Sequence, residues 1–221
     1  PFMSNSEAAH RRFVVLISGR GSNMQQIITQ AQAGNWPAAF VRVISNESDA
    51  PGIDWAKARG LATSVLPHRD FASRDAFDAR LADMIEQEAP DYVLLAGFMR
   101  ILTPAFVSRF KNKLVNIHPS LLPDFTGLHT HKRALEAGVA KHGCTVHLVT
   151  DQLDHGPIIA QAALAVRAND TPASLQQRVL KAEHVLYPQV VQWLAQGQVQ
   201  VNESGQINVT GVSSRHLWIE S

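Results

Sequence analysis

Asn116 and His118 stand two residues apart in Val115-Asn116-Ile117-His118-Pro119-Ser120, at the end of an apolar run that reads as a β-strand. Alternation along a strand sends both side chains to one face, so an amide and an imidazole can converge on one reacting atom. A third polar group comes from Asp151-Gln152-Leu153-Asp154-His155-Gly156-Pro157, a turn between two apolar runs. A carboxylate beside an imidazole orients it and favours its charged form, while an amide and an imidazolium can donate to a developing oxyanion. Asn116, His118 and Asp154 together suit transfer of an acyl-like group. Taken singly, each has a plainer reading: a histidine after a strand is commonly a hydrogen-bonded structural residue, and a turn carboxylate commonly caps its turn.

Ser18-Gly19-Arg20-Gly21-Ser22-Asn23 lies between a strand-like run, Phe13–Ile17, and a helical stretch, Asn23–Gln32. Glycines there let backbone amides at the helix start face an anion such as a phosphate; a connecting turn is the simpler alternative. The dinucleotide fingerprint would need glycine where Met24 stands, and the triphosphate loop would need Gly-Lys-Ser/Thr, so both cofactor readings weaken. Open α/β sheets bind ligands outside the carboxyl ends of their strands, which puts this loop and the Asn/His pair on one edge.

The elements that must position these groups alternate. Strand-like runs recur at Phe40–Ser45, Thr63–Leu66 and Tyr92–Ala96, separated by helical stretches such as Asp75–Gln87, as in a parallel sheet. Thr145–Val149 and Ile158–Val166 are separated by only eight residues, too few for a parallel crossover, so they read as antiparallel neighbours. Helical periodicity returns over Ala173–Leu194, and short strands come after it at Val199–Val201 and Ile207–Val209. The expected fold is α/β: a Rossmann-like open twisted sheet, mainly parallel with antiparallel strands in the C-terminal half, and helices on both faces. Residues 1–12 read as a disordered leader or an expression remnant, 13–202 as the domain, and 203–221 as a tail packed on it or trailing it.

Composition narrows the function classes. A chain of 221 residues, 45% hydrophobic, can bury one substantial core. Twenty Lys and Arg against 19 Asp and Glu leave no global field for nucleic acid or an anionic membrane. No apolar run approaches the roughly 20 residues needed to cross a bilayer, and nothing at the start reads as an export signal. The lone Cys144 reads as buried in a strand, in keeping with a reducing cytoplasm.

The segments Ile17–Asn23, Leu95–Leu102, Asn116–Pro123, Gly127-Leu128-His129-Thr130-His131, Gly143–Val149, Leu153–Pro157 and Glu183-His184 resemble the folate-dependent glycinamide ribonucleotide formyltransferases. The likeness runs from about Phe13 to Leu194 without a large gap. It implies direct transfer of a formyl group from 10-formyltetrahydrofolate, as co-substrate, to the amine of glycinamide ribonucleotide in de novo purine synthesis, with no metal and no covalent intermediate. By that resemblance Asn116 and His118 hold the formyl oxygen, and Asp154 pairs with His118 and relays protons through water. The ribonucleotide takes Gly21, Ser22 and Asn23 at its phosphate and Glu183 at its ribose. Folate takes Met99, Arg100, Ile101 and Leu102 and the Val149–Asp154 loop, with Val149, Thr150 and Asp151 in it, and Arg74 near its glutamate tail. His147, with Thr145, is secondary. The implied partners are these small molecules, with neither nucleic acid nor membrane, for a monomer or weak homodimer in the cytoplasm.

Three details depart from this pattern or stay open. Asp124 stands where relatives often have a basic or small residue, and Leu180 where some carry a lysine, with Lys181 one place late. His129 and His131 could suggest a metal pair, but two histidines without a third ligand are weak support and read better as helix-entry or pocket residues. The competing functions are hydrolysis of 10-formyltetrahydrofolate, transfer to initiator methionyl-tRNA, and a dinucleotide-binding module without transferase chemistry.

Overall fold

A computed structural model describes residues 10–221. Ten strands and six α-helices occur in chain order: β1 (Arg11–Ile17), α1 (Ser22–Ala33), β2 (Ala38–Ser45), α2 (Pro51–Ala58), β3 (Thr63–Val65), α3 (Arg74–Gln87), β4 (Tyr92–Leu95), α4 (Pro104–Arg109), β5 (Leu114–His118), α5 (Thr130–Ala137), β6 (Lys141–Leu148), β7 (Ile158–Ala165), α6 (Pro172–Ala195), β8 (Val199–Val201), β9 (Ile207–Val209) and β10 (His216–Trp218). Eight strands form one sheet in the order β10-β7-β6-β5-β4-β1-β2-β3, and β8 and β9 form a separate hairpin. Pairing is parallel from β3 through β5, and β6 runs antiparallel to both β5 and β7.

β1 shows why the sheet is covered twice. Phe13 through Ile17 are all fully buried. Phe13, Val15 and Ile17 pack with Met24, Ile27 and Ile28 of α1 and with Leu186, Val190 and Val191 of α6. Val14 and Leu16 pack on the opposite face with Phe77, Leu81 and Ile85 of α3 and Phe106 of α4. A strand buried on both faces must be apolar at every position, which is why its sequence does not alternate.

One boundary differs from expectation. The leader was expected to run through residue 12; residues 1–9 lie outside the described region, but Arg11 and Arg12 belong to β1. Arg11 pairs with Ala38, the Arg12 amide donates to Asp91 Oδ2 at 2.7 Å, and its guanidinium donates to the Glu88 carbonyl at 2.7 and 2.9 Å. Backbone pairing carries the strand past its apolar stretch. At the other end, β10 adds to β7 in parallel and becomes the sheet edge, with Arg178 of α6 holding Ser221. Three residues with one half-buried Leu217 leave little periodic signal to read.

The strand order turns back on itself between β1 and β4, so the chain leaves these two neighbours in opposite directions. Such a reversal opens a crevice beyond the carboxyl ends of the strands. The glycine loop succeeds β1, the Gly97–Leu102 segment succeeds β4, and Asn116 and His118 close β5.

Candidate active site

Register builds the polar floor. Asn116 lies opposite His147 and His118 opposite Thr145 across the β5–β6 pair. The turn after β6 then folds back along the strands, because the Leu148 amide bonds the Pro157 carbonyl at 2.9 Å. Gly156 makes this crossing feasible: a Cβ there would lie 1.6 Å from the Leu148 carbonyl oxygen. Asp154, held in the left-handed region at φ 56°, is thereby brought to His118, with Oδ1 3.5 Å from Nδ1. Its other oxygen accepts the Gly127 amide at 2.8 Å.

His118 is clamped on both sides. Its Nε2 donates to the Phe125 carbonyl at 2.8 Å while Nδ1 faces Asp154. The ring and the carboxylate are 6% and 8% exposed, which concentrates their fields in a poorly solvated space. Asn116, half-buried, turns to the same cavity. The assembly offers an amide donor, an oriented imidazole and a buried carboxylate, a set able to stabilise an oxyanion and move a proton.

His147 completes the floor at 2% exposure. Nδ1 donates to the Leu148 carbonyl at 3.0 Å, which leaves Nε2 as a buried acceptor without a protein partner among the described residues. Burial holds this ring below the usual histidine range, outweighing the pull of the Leu148 carbonyl and of Asp154. Thr145 anchors the loop after β5: its hydroxyl donates to the Ser120 carbonyl at 2.7 Å and accepts from the Leu122 amide and from Gln161.

The floor belongs to a cavity of about 440 Å³. Met99, Arg100, Ile101, Leu102, Val149, Thr150 and Asp151 line it, as do Leu95, Phe98, Val107, Gly127, Leu128, Gln152 and Leu153. Met99 (78% exposed), Ile101 (58%), Leu128 (74%) and Leu153 (55%) stand open on its rim. Exposed apolar side chains gathered around a polar floor mark a ligand surface rather than chance exposure. Arg100 stacks on Phe77, with its guanidinium carbon 4.7 Å from the ring centre. Arg74 lies exposed in the first turn of α3 and is not part of the lining.

A second locus forms at the start of α1. Gly21, in the left-handed region, precedes Ser22. Asn23 Nδ2 donates to Glu183 Oε1 at 3.2 Å, and His184 Nε2 lies 3.1 Å from the Ser22 hydroxyl. Burial pushes the Glu183 carboxyl up to about 7 against the opposing pull of Asn23. The loop is braced by a contact that local sequence does not announce: the Gly52 amide donates to the Gly19 carbonyl at 3.0 Å, and a Cβ at Gly52 would lie 2.8 Å from the Arg20 oxygen. Lys181 is exposed and Leu180 half-buried on α6.

His129, at φ 57°, caps α5, and His131 lies 3.2 Å from His142. Burial pushes His142 down to about 4, with His131 and His118 adding to the effect. Among the described residues no group of three or more His, Cys, Asp or Glu is placed to hold a metal ion, and no helix is long and apolar enough to cross a membrane. Sequence reasoning missed Leu128, Gly52 and the Phe125 carbonyl. Leu128 carried a readable signal, an apolar residue inside an otherwise polar loop.

A polar floor and a glycine-bounded helix start at the reversal of a doubly wound sheet define an α/β enzyme that acts on small molecules. A sequence profile of the formyl transferase family matches residues 11–191. The phosphoribosylglycinamide formyltransferase of Escherichia coli is 49% identical over 191 residues, covering 86% of this chain and 90% of that protein. The human trifunctional purine biosynthetic protein adenosine-3 is 44% identical over 91% of this chain, which spans only 20% of that longer protein. Among solved structures, the phosphoribosylglycinamide formyltransferase of Coxiella burnetii superposes with a TM-score of 0.87 at 43% identity, covering 94% of this chain and 99% of that one. The chain belongs to the formyl transferase family.

Proposed function

We propose that this protein transfers the formyl group of 10-formyltetrahydrofolate to the primary amine of glycinamide ribonucleotide, a step of de novo purine synthesis. The observation that carries the reading is the buried Asn116–His118–Asp154 group at the floor of an apolar-rimmed cavity, in a chain of the formyl transferase family. The amine forms a bond to the formyl carbon, whose oxygen becomes an oxyanion facing the Asn116 amide and the His118 ring. The Phe125 carbonyl already accepts the hydrogen bond from His118 Nε2, so Asn116 is the direct donor and His118, beside Asp154, shapes the field around the oxyanion. The proton leaving the amine passes by way of water and Asp154 to the folate nitrogen as the carbon–nitrogen bond to folate breaks. No metal enters these steps.

Apolar walls at Met99, Ile101, Leu102 and Val149 suit a flat ring system, and Arg100, Thr150 and Asp151 supply polar edges. The exposed Arg74 would meet a flexible glutamate tail reaching beyond the cavity. Amides after Gly21, with Ser22 and Asn23, would take the ribonucleotide phosphate, and Glu183 the ribose hydroxyls. His147 would accept a hydrogen bond through its unpartnered Nε2, and Thr145 would hold the loop after β5. Balanced charge and a single buried cysteine suit a cytoplasmic monomer or weak homodimer.

The test is the absorbance change on deformylation of 10-formyl-5,8-dideazafolate with and without glycinamide ribonucleotide. Turnover that requires the ribonucleotide is expected. Equal turnover without it would replace transfer by hydrolysis, and no turnover in either case would contradict the reading.

A further inference from the structure

We infer that Ser18 is a positioning residue shared by the two substrate sites proposed above: its hydroxyl joins the glycine loop to the folate-side lip, so that each ligand tightens binding of the other. This rests on the proposed substrates but assigns a role that the reaction itself does not require.

The lip is the segment Gly97–Leu102, which contributes Met99 and Ile101 to the cavity rim. Among the described residues, its backbone has one hydrogen bond to the rest of the protein: the Met99 amide donates to the Ser18 hydroxyl at 2.8 Å. That hydroxyl has a single hydrogen, given to Asn46 Oδ1, which leaves its lone pairs for Met99. Asn46 is 2% exposed and cannot turn freely, because its amide nitrogen lies 3.1 Å from His68 Nδ1. His68 in turn is 3.8 Å from Glu47, which Arg69 holds at 2.7 Å. The hydroxyl is therefore aimed by groups at the ends of β2 and β3.

On its other side Ser18 continues directly into the glycine loop. The Gly19 carbonyl is bound by the Gly52 amide, and Gly52 leaves no room between the segments. Gly21 then starts α1 in the left-handed region. Residues 18–22 are thus a short, braced unit, with the proposed anion-facing helix start at one end and, among the described residues, the sole backbone anchor of the lip at the other. An anion that stills the loop also stills the hydroxyl on which Met99 hangs. A folate that presses on the lip loads the same hydroxyl from the opposite direction. Linkage requires the two effects to be equal.

The experiment is calorimetric titration of the full chain with 5,8-dideazafolate, alone and with saturating glycinamide ribonucleotide, for the wild type, Ser18→Ala and Ser18→Thr. The wild type is expected to bind the folate analogue about fivefold more tightly when the ribonucleotide is present. In Ser18→Ala that ratio should fall to near one while the analogue alone binds about three- to fivefold more weakly. Ser18→Thr, which keeps the hydroxyl, should restore the ratio. A purely structural residue would lower the melting temperature and weaken both ligands without changing the ratio, and that result would overturn the inference. A wild-type ratio of one, or a Ser18→Ala ratio equal to the wild type's, would overturn it as well. A wild type that binds neither ligand would instead sink the substrate reading beneath it.

Discussion

The cavity floor and the glycine loop achieve their polarity by opposite means. At the floor, His118, His147 and Asp154 are each 8% exposed or less and are aimed by specific partners: the Phe125 carbonyl, the Leu148 carbonyl and the Gly127 amide. At the glycine loop the groups proposed to act are backbone amides of a helix start, braced by Gly52 and flanked by half-buried Glu183 and His184. Fixed side chains in a poorly solvated space act on charge that develops during reaction, whereas amides at a helix start act on charge the ligand already carries. Substitutions at the floor should therefore appear in turnover, and substitutions at the phosphate-facing end of the loop mainly in the KM of the ribonucleotide.

The largest expected effect is at the floor. Asp154→Asn keeps the shape but removes the charge facing His118, and should lower kcat by at least about a hundredfold with little change in either KM. Steady-state kinetics with both substrates varied would check this, and near-normal turnover would remove Asp154 from the proton path.

The second prediction concerns stability. The folded His142 pKa of about 4 lies below the unfolded value of about 6.5, so the unfolded chain takes the proton first. The contribution is full above about pH 6.5 and is lost as pH falls toward 4, amounting to about 2 kcal/mol between pH 7 and pH 5. Glu183 opposes it, since its raised pKa favours folding at low pH and withdraws that support as pH rises toward about 7. The difference in unfolding free energy between the wild type and His142→Gln across this range isolates the histidine. An identical pH dependence in the two proteins would contradict the assignment.

Two smaller effects should fall on the loop. Gly52→Ala forces the Gly19–Arg20 segment aside and should raise the KM for glycinamide ribonucleotide about tenfold, leaving the folate KM less affected. An equal rise in both would blur the division between floor and loop. Glu183 accepts hydroxyl hydrogen bonds best as a carboxylate, so the ribonucleotide KM should fall about threefold as pH rises through about 7. Glu183→Gln should flatten that dependence, and an unchanged profile in the variant would show that Glu183 does not set it.

The same division explains what the sequence made legible. Asn116 and His118 could be paired from strand alternation, and the antiparallel strands from an eight-residue gap, because both depend on local periodicity and chain length. The glycine loop was readable because it falls on the same sheet edge as the Asn116 and His118 pair, which favours an anion site over a connecting turn. Gly52 and the Phe125 carbonyl were not, since each matters through a contact distant in sequence, with Gly19 or with His118. The helices α2, α4 and α5 have eight, six and eight residues, too few for a clear helical period. β10 owes its place to pairing with β7 more than to its own residues.

The most direct test of the central claim is to follow a carbon-13 formyl label from 10-formyltetrahydrofolate by NMR in the presence of glycinamide ribonucleotide and enzyme. The label is expected to move onto the ribonucleotide amine, with little free formate. Label accumulating as formate at the same rate with or without the ribonucleotide would contradict it.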